Sequence, residues 1–405
     1  MTDSVPLNRV KSMNRITLTH FFTFYSKLGG VETLLKRHLA NDARWDIDPN
    51  VVAFFEPEPK DNPQVSGVGL TWRDCVISAR SKTRAKRPST PSNVALYHNF
   101  WGIPFLADLD RSARRIALLH SDWPGINDTL RAQRGLVDGV MCVNDVLQQQ
   151  VIDQIPDLPS DRVVVLPLPI NSSSVMPEHR PLQERPIVCG FSGRVVKAQK
   201  RVDRLPRLCE SLDRIGLDYR FEILGDGPEK NWLEGQFSGN PKVRIHGRRS
   251  GDEYWNILSN WDVIVFMSDY EGLPISLLEA FSLGILPIFP QIRSGGDRYA
   301  RNVRSDFLYP PDDFDHVARV LQGIKSASNE SVSELREKAK GLAESHRGDA
   351  YLKAYGGFVR EIVDQPKISP SQFPDRPFFW SDYLPFAAMR RFYYRGFYNR
   401  NDGRP

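Results

Sequence analysis

The chain has 405 residues, 40% hydrophobic and 25% charged, which is ordinary globular usage and enough for about two to three domains with cores of their own. A formal net charge of +5 suits anionic partners such as nucleotides, phosphates or acidic membrane surfaces, and equally suits a mildly basic surface kept for solubility. The opening MTDSVPLNRVKSMNR lacks an apolar core and no run approaches the ~18 apolar residues of a spanning helix, which argues against export and membrane spanning and for a cytoplasmic protein.

RITLTHFF (15–22) is the first strand expected, followed by a loop ending in Gly29-Gly30 and by VETLLKRHLA (31–40), whose apolar residues recur at helical spacing. Further apolar strands are expected at 51–55, 94–98, 115–120 and 139–144, with helices or loops between them. ARSKTRAKRPSTP (79–91) is a basic run expected to be a loop. After RVVVLPLPI (162–170) the chain turns polar and proline-rich, which places a linker at 173–186 between a first domain, 1–172, and a second, 187–347. The second series has strands expected at 187–193, 219–227, 243–247, 262–268 and 285–290. Two helices follow within 333–363, and a tail of aromatics and arginines closes the segment 348–405. Strands and helices alternating in this way form parallel sheets covered by helices, so the chain reads as α/β, two Rossmann-like doubly wound domains facing a cleft. Cys75, Cys142, Cys189 and Cys209 have no zinc-type spacing and read as reduced, mostly buried thiols.

Loops that follow strands face such a cleft, and two of them carry charge. SDYEGLPISLLEAF (268–281) puts Glu271 just outside a helix that Pro274 can open, and Glu279 two turns inside it. Free amides at that helix start attract an anion, and a carboxylate nearby can accept paired sugar hydroxyls. Spacing alone gives equal weight to a plainer reading, a charged neighbour at the helix start together with a mid-helix glutamate facing solvent. GFSGRVVKAQKRVDRL (190–205) follows the first strand of the second domain with Arg194 and with Lys200, expected to open the next helix; the plainer reading of Lys197, Lys200 and Arg201 is a solvated helix face. Two cations in that cleft can neutralise a departing diphosphate without a metal.

GGVE (29–32), GRVVKAQKRVD (193–203), ILGDGP (223–228) and EGLPISLLEAFSLGILPI (271–288) together resemble the retaining glycosyltransferases of family four, the group 1 transferases of GT-B architecture. The resemblance implies a nucleoside diphosphate sugar as donor substrate, no separate cofactor, no metal and no nucleic-acid partner. It implies that Glu271 touches the donor sugar and Glu279 the ribose, with Gly272 and Leu273 in the same donor loop. Arg194 and Lys200 would hold the diphosphate, and Gly29 and Gly30 would let backbone approach the donor. His120, ending the strand at 115–120, is the candidate for a polar contact at the reaction centre, in competition with His98 and with a purely structural role. GDGP (225–228) and HGR (246–248) fall near the nucleotide base in the family, and Gly295, Gly296 and Asp297 can fill the donor-sugar loop where relatives carry a glutamate. Trp101 and Trp123 are candidates to stack on an acceptor sugar, against a core or rim role.

The function implied is hexosyl transfer to a saccharide or lipid-linked acceptor in cell-surface polysaccharide or glycolipid synthesis. A GT-B epimerase or phosphorylase and a non-catalytic saccharide-binding module are the alternatives. Arg80, Lys82, Arg84, Lys86 and Arg87, with the tail residues Phe378, Phe379, Trp380, Arg390, Arg391, Phe392, Tyr393, Tyr394 and Arg395, can dock the protein on the inner face of the plasma membrane; alternatively the tail packs its rings on the first domain.

Overall fold

The computed structural model describes residues 15–26, 29–59, 62–86, 91–109, 111–170, 175, 177–178, 180–368 and 379–389. The first domain is built on strands β1 (Ile16–Phe22), β2 (Ile47–Ala53), β3 (Val65–Gly67), β4 (Val94–His98), β5 (Arg114–Leu119), β6 (Gly139–Cys142) and β7 (Val163–Val165). They pair in parallel in the order β3-β2-β1-β4-β5-β6-β7. The second is built on β8 (Ile187–Ser192), β9 (Tyr219–Leu224), β10 (Val243–Gly247), β11 (Val263–Val265), β12 (Leu286–Pro290) and β13 (Leu308–Tyr309), in the order β10-β9-β8-β11-β12-β13. Both sheets are covered by helices, so inner strands such as β4, β6 and β12 are buried at every residue and read as continuous apolar runs.

Differences from the expected elements have local causes. β2 starts earlier than expected and includes Pro49, which is tolerated because β3 pairs only with Val51–Ala53 and leaves that side of Pro49 an edge. β3 and β13 are three and two residues long, too short to show a period. The basic run is not a loop over most of its length. Val76–Ala85 is a helix, entered through a capping turn at Cys75 and Ser78, with Val76, Ala79 and Thr83 buried. Lys200 does not open a helix either: Arg201 takes a left-handed φ of 49°, and the regular helix is Leu205–Arg214, with a proline in its first turn.

The helix Ala350–Asp364 buries Tyr351, Leu352, Tyr355, Phe358, Val359 and Ile362, a stripe at helical spacing. That stripe packs on Ile16, Leu18, Leu96, Ile116 and Leu118 of the first sheet, so the end of the chain returns to the first domain. Further on, Phe386 is buried against Phe55 and Trp101, and its amide donates to the Asp74 carbonyl. Phe378, Arg87 and 390–395 lie outside the described residues. Cys142, Cys189 and Cys209 are buried free thiols, and Cys75 is half-buried. Among the described residues no helix is long and apolar enough to cross a membrane.

Candidate functional site

The second domain supplies a charged wall. The loop 193–201 follows β8 and lies flat on 224–227: the Gly193 amide donates to Leu224 O and the Val195 amide to Asp226 O. Glycine is required in that second loop, since a Cβ on Gly225 would sit 1.8 Å from Gly193 O and one on Gly227 2.2 Å from Val195 O. The same loop is tied to the turn after β11 through the Asp269 amide on Gln199 O. This places Lys200 Nζ 2.6 Å from Glu271 Oε1, which also accepts from Ser268 Oγ at 2.5 Å. Glu271 is buried; Arg194, on the same loop, is exposed and makes no ion pair among the described residues.

The helix Ile275–Ser282 starts directly after, capped by Pro274 in extended conformation with no side-chain cap, so its first amides have no partner within the helix. Glu279 does not face solvent. It is buried, accepts from Tyr254 Oη at 2.7 Å, and burial pushes its carboxyl up to about 7 although the tyrosine bond acts the other way. Leu273 and Gly272 are buried between the two glutamates. HGR joins the same region, because the Gly225 amide donates to Gly247 O. Asp297 is not available to a sugar: its carboxylate accepts from the amides of Ile292, Arg293 and Ser294 and caps the helix Gly295–Val303. Gly295 instead lets that helix approach Asn144 of the first domain, where a Cβ would meet Asn144 Cβ at 2.7 Å.

The first domain supplies a wall of histidines around one buried carboxylate. His120 follows β5 and gives its Nε2 to a 2.7 Å hydrogen bond with His98 Nδ1; His98 Nε2 lies 3.1 Å from His20 Nδ1. His20 in turn faces Asp42 and Tyr355, and Asp42 holds His38 Nδ1 at 2.9 Å. His20, His38, His98 and Asp42 are fully buried. Burial pushes His20 down to about 4 and His120 down to about 3, and His98 lies well below its ordinary value for the same reason, so these rings are neutral at pH 7. Sequence reasoning singled out His120 and His98 and missed His20, His38 and Asp42. The signal was present: THFF, LYHN and LLHS each carry a histidine near the carboxyl end of a strand, and β1, β4 and β5 are neighbours in the sheet. Trp101 packs on Phe54, Phe55 and Phe386, and Trp123 is half-buried on the core.

The two walls touch. Ser121 and Gly272 form an antiparallel bridge, the Asp122 amide donates to Glu271 O at 3.4 Å, and a Cβ on Gly272 would lie 2.0 Å from His120 O. Gly30 faces Ile275 at the helix start, 3.0 Å from its Cδ1 to a Cβ position. The structure therefore brings His120, Gly30, Lys200, Glu271, Gly272 and the start of the helix bearing Glu279 together where the domains meet, and Arg194 is exposed on the same loop as Lys200.

The family model for glycosyl transferases group 1 matches residues 175–342. Those residues form a group 1 glycosyltransferase domain. The chain is 35% identical to sulfoquinovosyl transferase SQD2 of Arabidopsis thaliana over 145 residues, 35% of this chain and 27% of that one. It is 27% identical to lipopolysaccharide 1,6-galactosyltransferase of Salmonella typhimurium over 195 residues, 45% of this chain and 52% of the relative. The chain thus spans about a quarter to a half of the length of these two relatives. The lipopolysaccharide outer core galactosyltransferase WaaB superposes over 85% of this chain and 99% of its own with a TM-score of 0.63 at 17% identity, which shows a shared GT-B fold.

Proposed function

We propose that this group 1 glycosyltransferase moves a hexosyl group from a nucleoside diphosphate sugar to a saccharide or lipid-linked acceptor, with retention of configuration and without a metal, in cell-surface polysaccharide or glycolipid synthesis on the cytoplasmic side. The observation that carries this is Lys200 held on Glu271 beside exposed Arg194, at the start of the helix Ile275–Ser282. A diphosphate there meets two cations and free helix amides, which stabilise the charge that develops as the sugar leaves. In this reading Glu271 exchanges part of its bond to Lys200 for a donor-sugar hydroxyl, Glu279 takes the ribose, and Gly29 and Gly30 let the first loop approach the donor. His120 is the polar group of the opposite wall.

The step is a front-face displacement. The bond from the anomeric carbon to the diphosphate oxygen breaks, the acceptor oxygen bonds the same face, and the acceptor's proton passes to the leaving diphosphate. Contact between the walls at Gly272 excludes water from the departing sugar. Screening UDP-, GDP- and ADP-sugars for thermal stabilisation identifies the donor. The product's anomeric configuration is then read by NMR in EDTA. Retention with full activity is expected; an inverted product, or loss restored by Mn²⁺ or Mg²⁺, overturns the mechanism.

Contact with a membrane bearing the acceptor rests on aromatics. Trp380, Tyr383 and Phe379 are 80%, 67% and 54% exposed on a turn packed beside the helix Val76–Ala85, and Trp72, just ahead of that helix, is 45% exposed. The basic run contributes less than its charge count implies, because Arg80 pairs with Asp108, Lys82 with Asp74 and Lys86 with Glu58. Co-sedimentation with anionic liposomes that falls in Trp380→Ala is expected, and an intact protein left in the supernatant at low salt refutes the contact.

A further inference from the structure

Asp42 is the anion at the inner end of the histidine chain, and hydrogen bonds read outward from it have one consistent polarity. A carboxylate only accepts, so His38 donates to it from Nδ1, while His38 Nε2 lies 2.8 Å from Tyr351 Oη. Burial pushes the Asp42 carboxyl up, but His38 and His20 outweigh it and hold the group below its ordinary value, so Asp42 is ionised. His20 Nε2 lies 3.9 Å from Asp42 Oδ2 and 3.5 Å from Tyr355 Oη. A lone pair on that nitrogen would point at a buried carboxylate, whereas an N–H there is attracted to it, and the low dielectric of the interior enlarges the difference. With Nε2–H on His20, its Nδ1 accepts from His98 Nε2–H. His98 Nδ1 then accepts from His120 Nε2–H. His120 Nδ1 is left as an acceptor, with no hydrogen bond among the described residues.

We infer that Asp42, through His20 and His98, sets the tautomer of His120, so that this ring presents an acceptor to the cleft and takes a hydroxyl hydrogen rather than donating to a phosphate. Asp42, His20 and His98 are positioning residues. No proton is gained or lost along the chain; each ring keeps one hydrogen, and only its place is decided. The part played by His120 in transfer rests on the function proposed above, while its tautomer does not.

A chain that merely holds β1, β4 and the helix Ala350–Asp364 together would cost stability when broken and leave His120 alone. The test is therefore made on the tautomer, by ¹⁵N-detected imidazole correlation spectra of the full chain at pH 7.5, with His120 assigned by His120→Gln. In the wild type His120 is expected protonated at Nε2 and bare at Nδ1. Asp42→Asn, and separately His98→Gln, should convert it to a mixture or to the Nδ1–H form. His98→Gln keeps the volume and a polar link, so it serves if Asp42→Asn does not fold. In both variants kcat should fall roughly 10²-fold with the donor KM little changed. An Nδ1–H form in the wild type, or a His120 signal unmoved in folded variants, overturns the inference and leaves the proposed function standing. A tautomer that responds in a protein inactive with every sugar nucleotide supports the inference and removes the proposed function.

Discussion

The two walls of the cleft solve opposite electrostatic problems. On the first domain, four histidines and one carboxylate are wholly or partly buried and satisfy one another, and burial holds His20, His98 and His120 neutral. On the second, Lys200 and Glu271 keep their charges against each other, Arg194 faces solvent, and helix amides add a partial positive charge. A wall of neutral rings can orient hydroxyls without attracting a phosphate; a wall of cations and amides attracts the phosphate and orients little. In the proposed function His120 meets sugar hydroxyls from the first side, while the second side holds the diphosphate on Arg194 and Lys200 and the donor sugar on Glu271.

The sharpest way to break that division is on the charged side. Arg194→Ala and Lys200→Ala should each lower turnover by ~10²-fold or more, because charge developing on the leaving group loses a fixed partner. Their stabilities should part company. Arg194 is exposed and makes no ion pair among the described residues, so its loss leaves the thermal midpoint in place. Removal of Lys200 strands Glu271, whose side chain is 6% exposed, and should cost a few kcal/mol; Glu271→Gln in that background restores the midpoint and not the turnover. Wild-type transfer by Arg194→Ala, measured at saturating donor, would contradict the assignment.

Acid separates the walls by sign. For the histidines the folded values, about 4 for His20 and about 3 for His120, lie below the ordinary 6.5, so their contribution is complete above 6.5 and is lost as pH falls towards those values. For Glu279 the folded value is raised from 4.5 to about 7, so its contribution is complete below 4.5 and is lost as pH rises through 7. Between pH 4.5 and 6.5 the two oppose each other, by up to about 1.4 kcal/mol per pH unit for each proton. Glu279→Gln should therefore steepen the fall of stability with acid, read by urea unfolding across that range, and an unchanged slope would show that Glu279 is already ionised. The smallest effect expected is on binding: the same variant should weaken a free nucleoside diphosphate roughly tenfold by calorimetry, through a lost charged hydrogen bond. Equal affinity removes the ribose role.

How much was legible depended on what each feature requires. β4, the helix Ala350–Asp364 and the alternation of strand and helix follow from apolar period alone, so they could be read from local sequence. The basic run was misread because its charges masked Val76, Ala79 and Thr83, which are the buried face. Nothing in AQKRVD announces the left-handed turn at Arg201 that keeps Lys200 off a helix. Arg194, Lys200 and the two glutamates were visible as charges in loops after strands, but the ion pair between Lys200 and Glu271, 71 residues apart, was not.

By itself the sequence determined the two parallel sheets, the loops that end at the cleft and the charge of its second wall, because period, glycine at turns and loop residues act over a few positions. Only the tertiary structure decided that Lys200 spends its charge on Glu271, that Glu279 is buried on Tyr254, and that Gly272 seats the second domain on His120 O. It alone also aligned His20, His98 and His120, which stand 78 and 22 residues apart along the chain and become hydrogen-bonded neighbours because β1, β4 and β5 lie side by side. Strand order in a parallel sheet is set by how helices pack across its faces, and that long-range packing leaves no local mark on the residues it brings together.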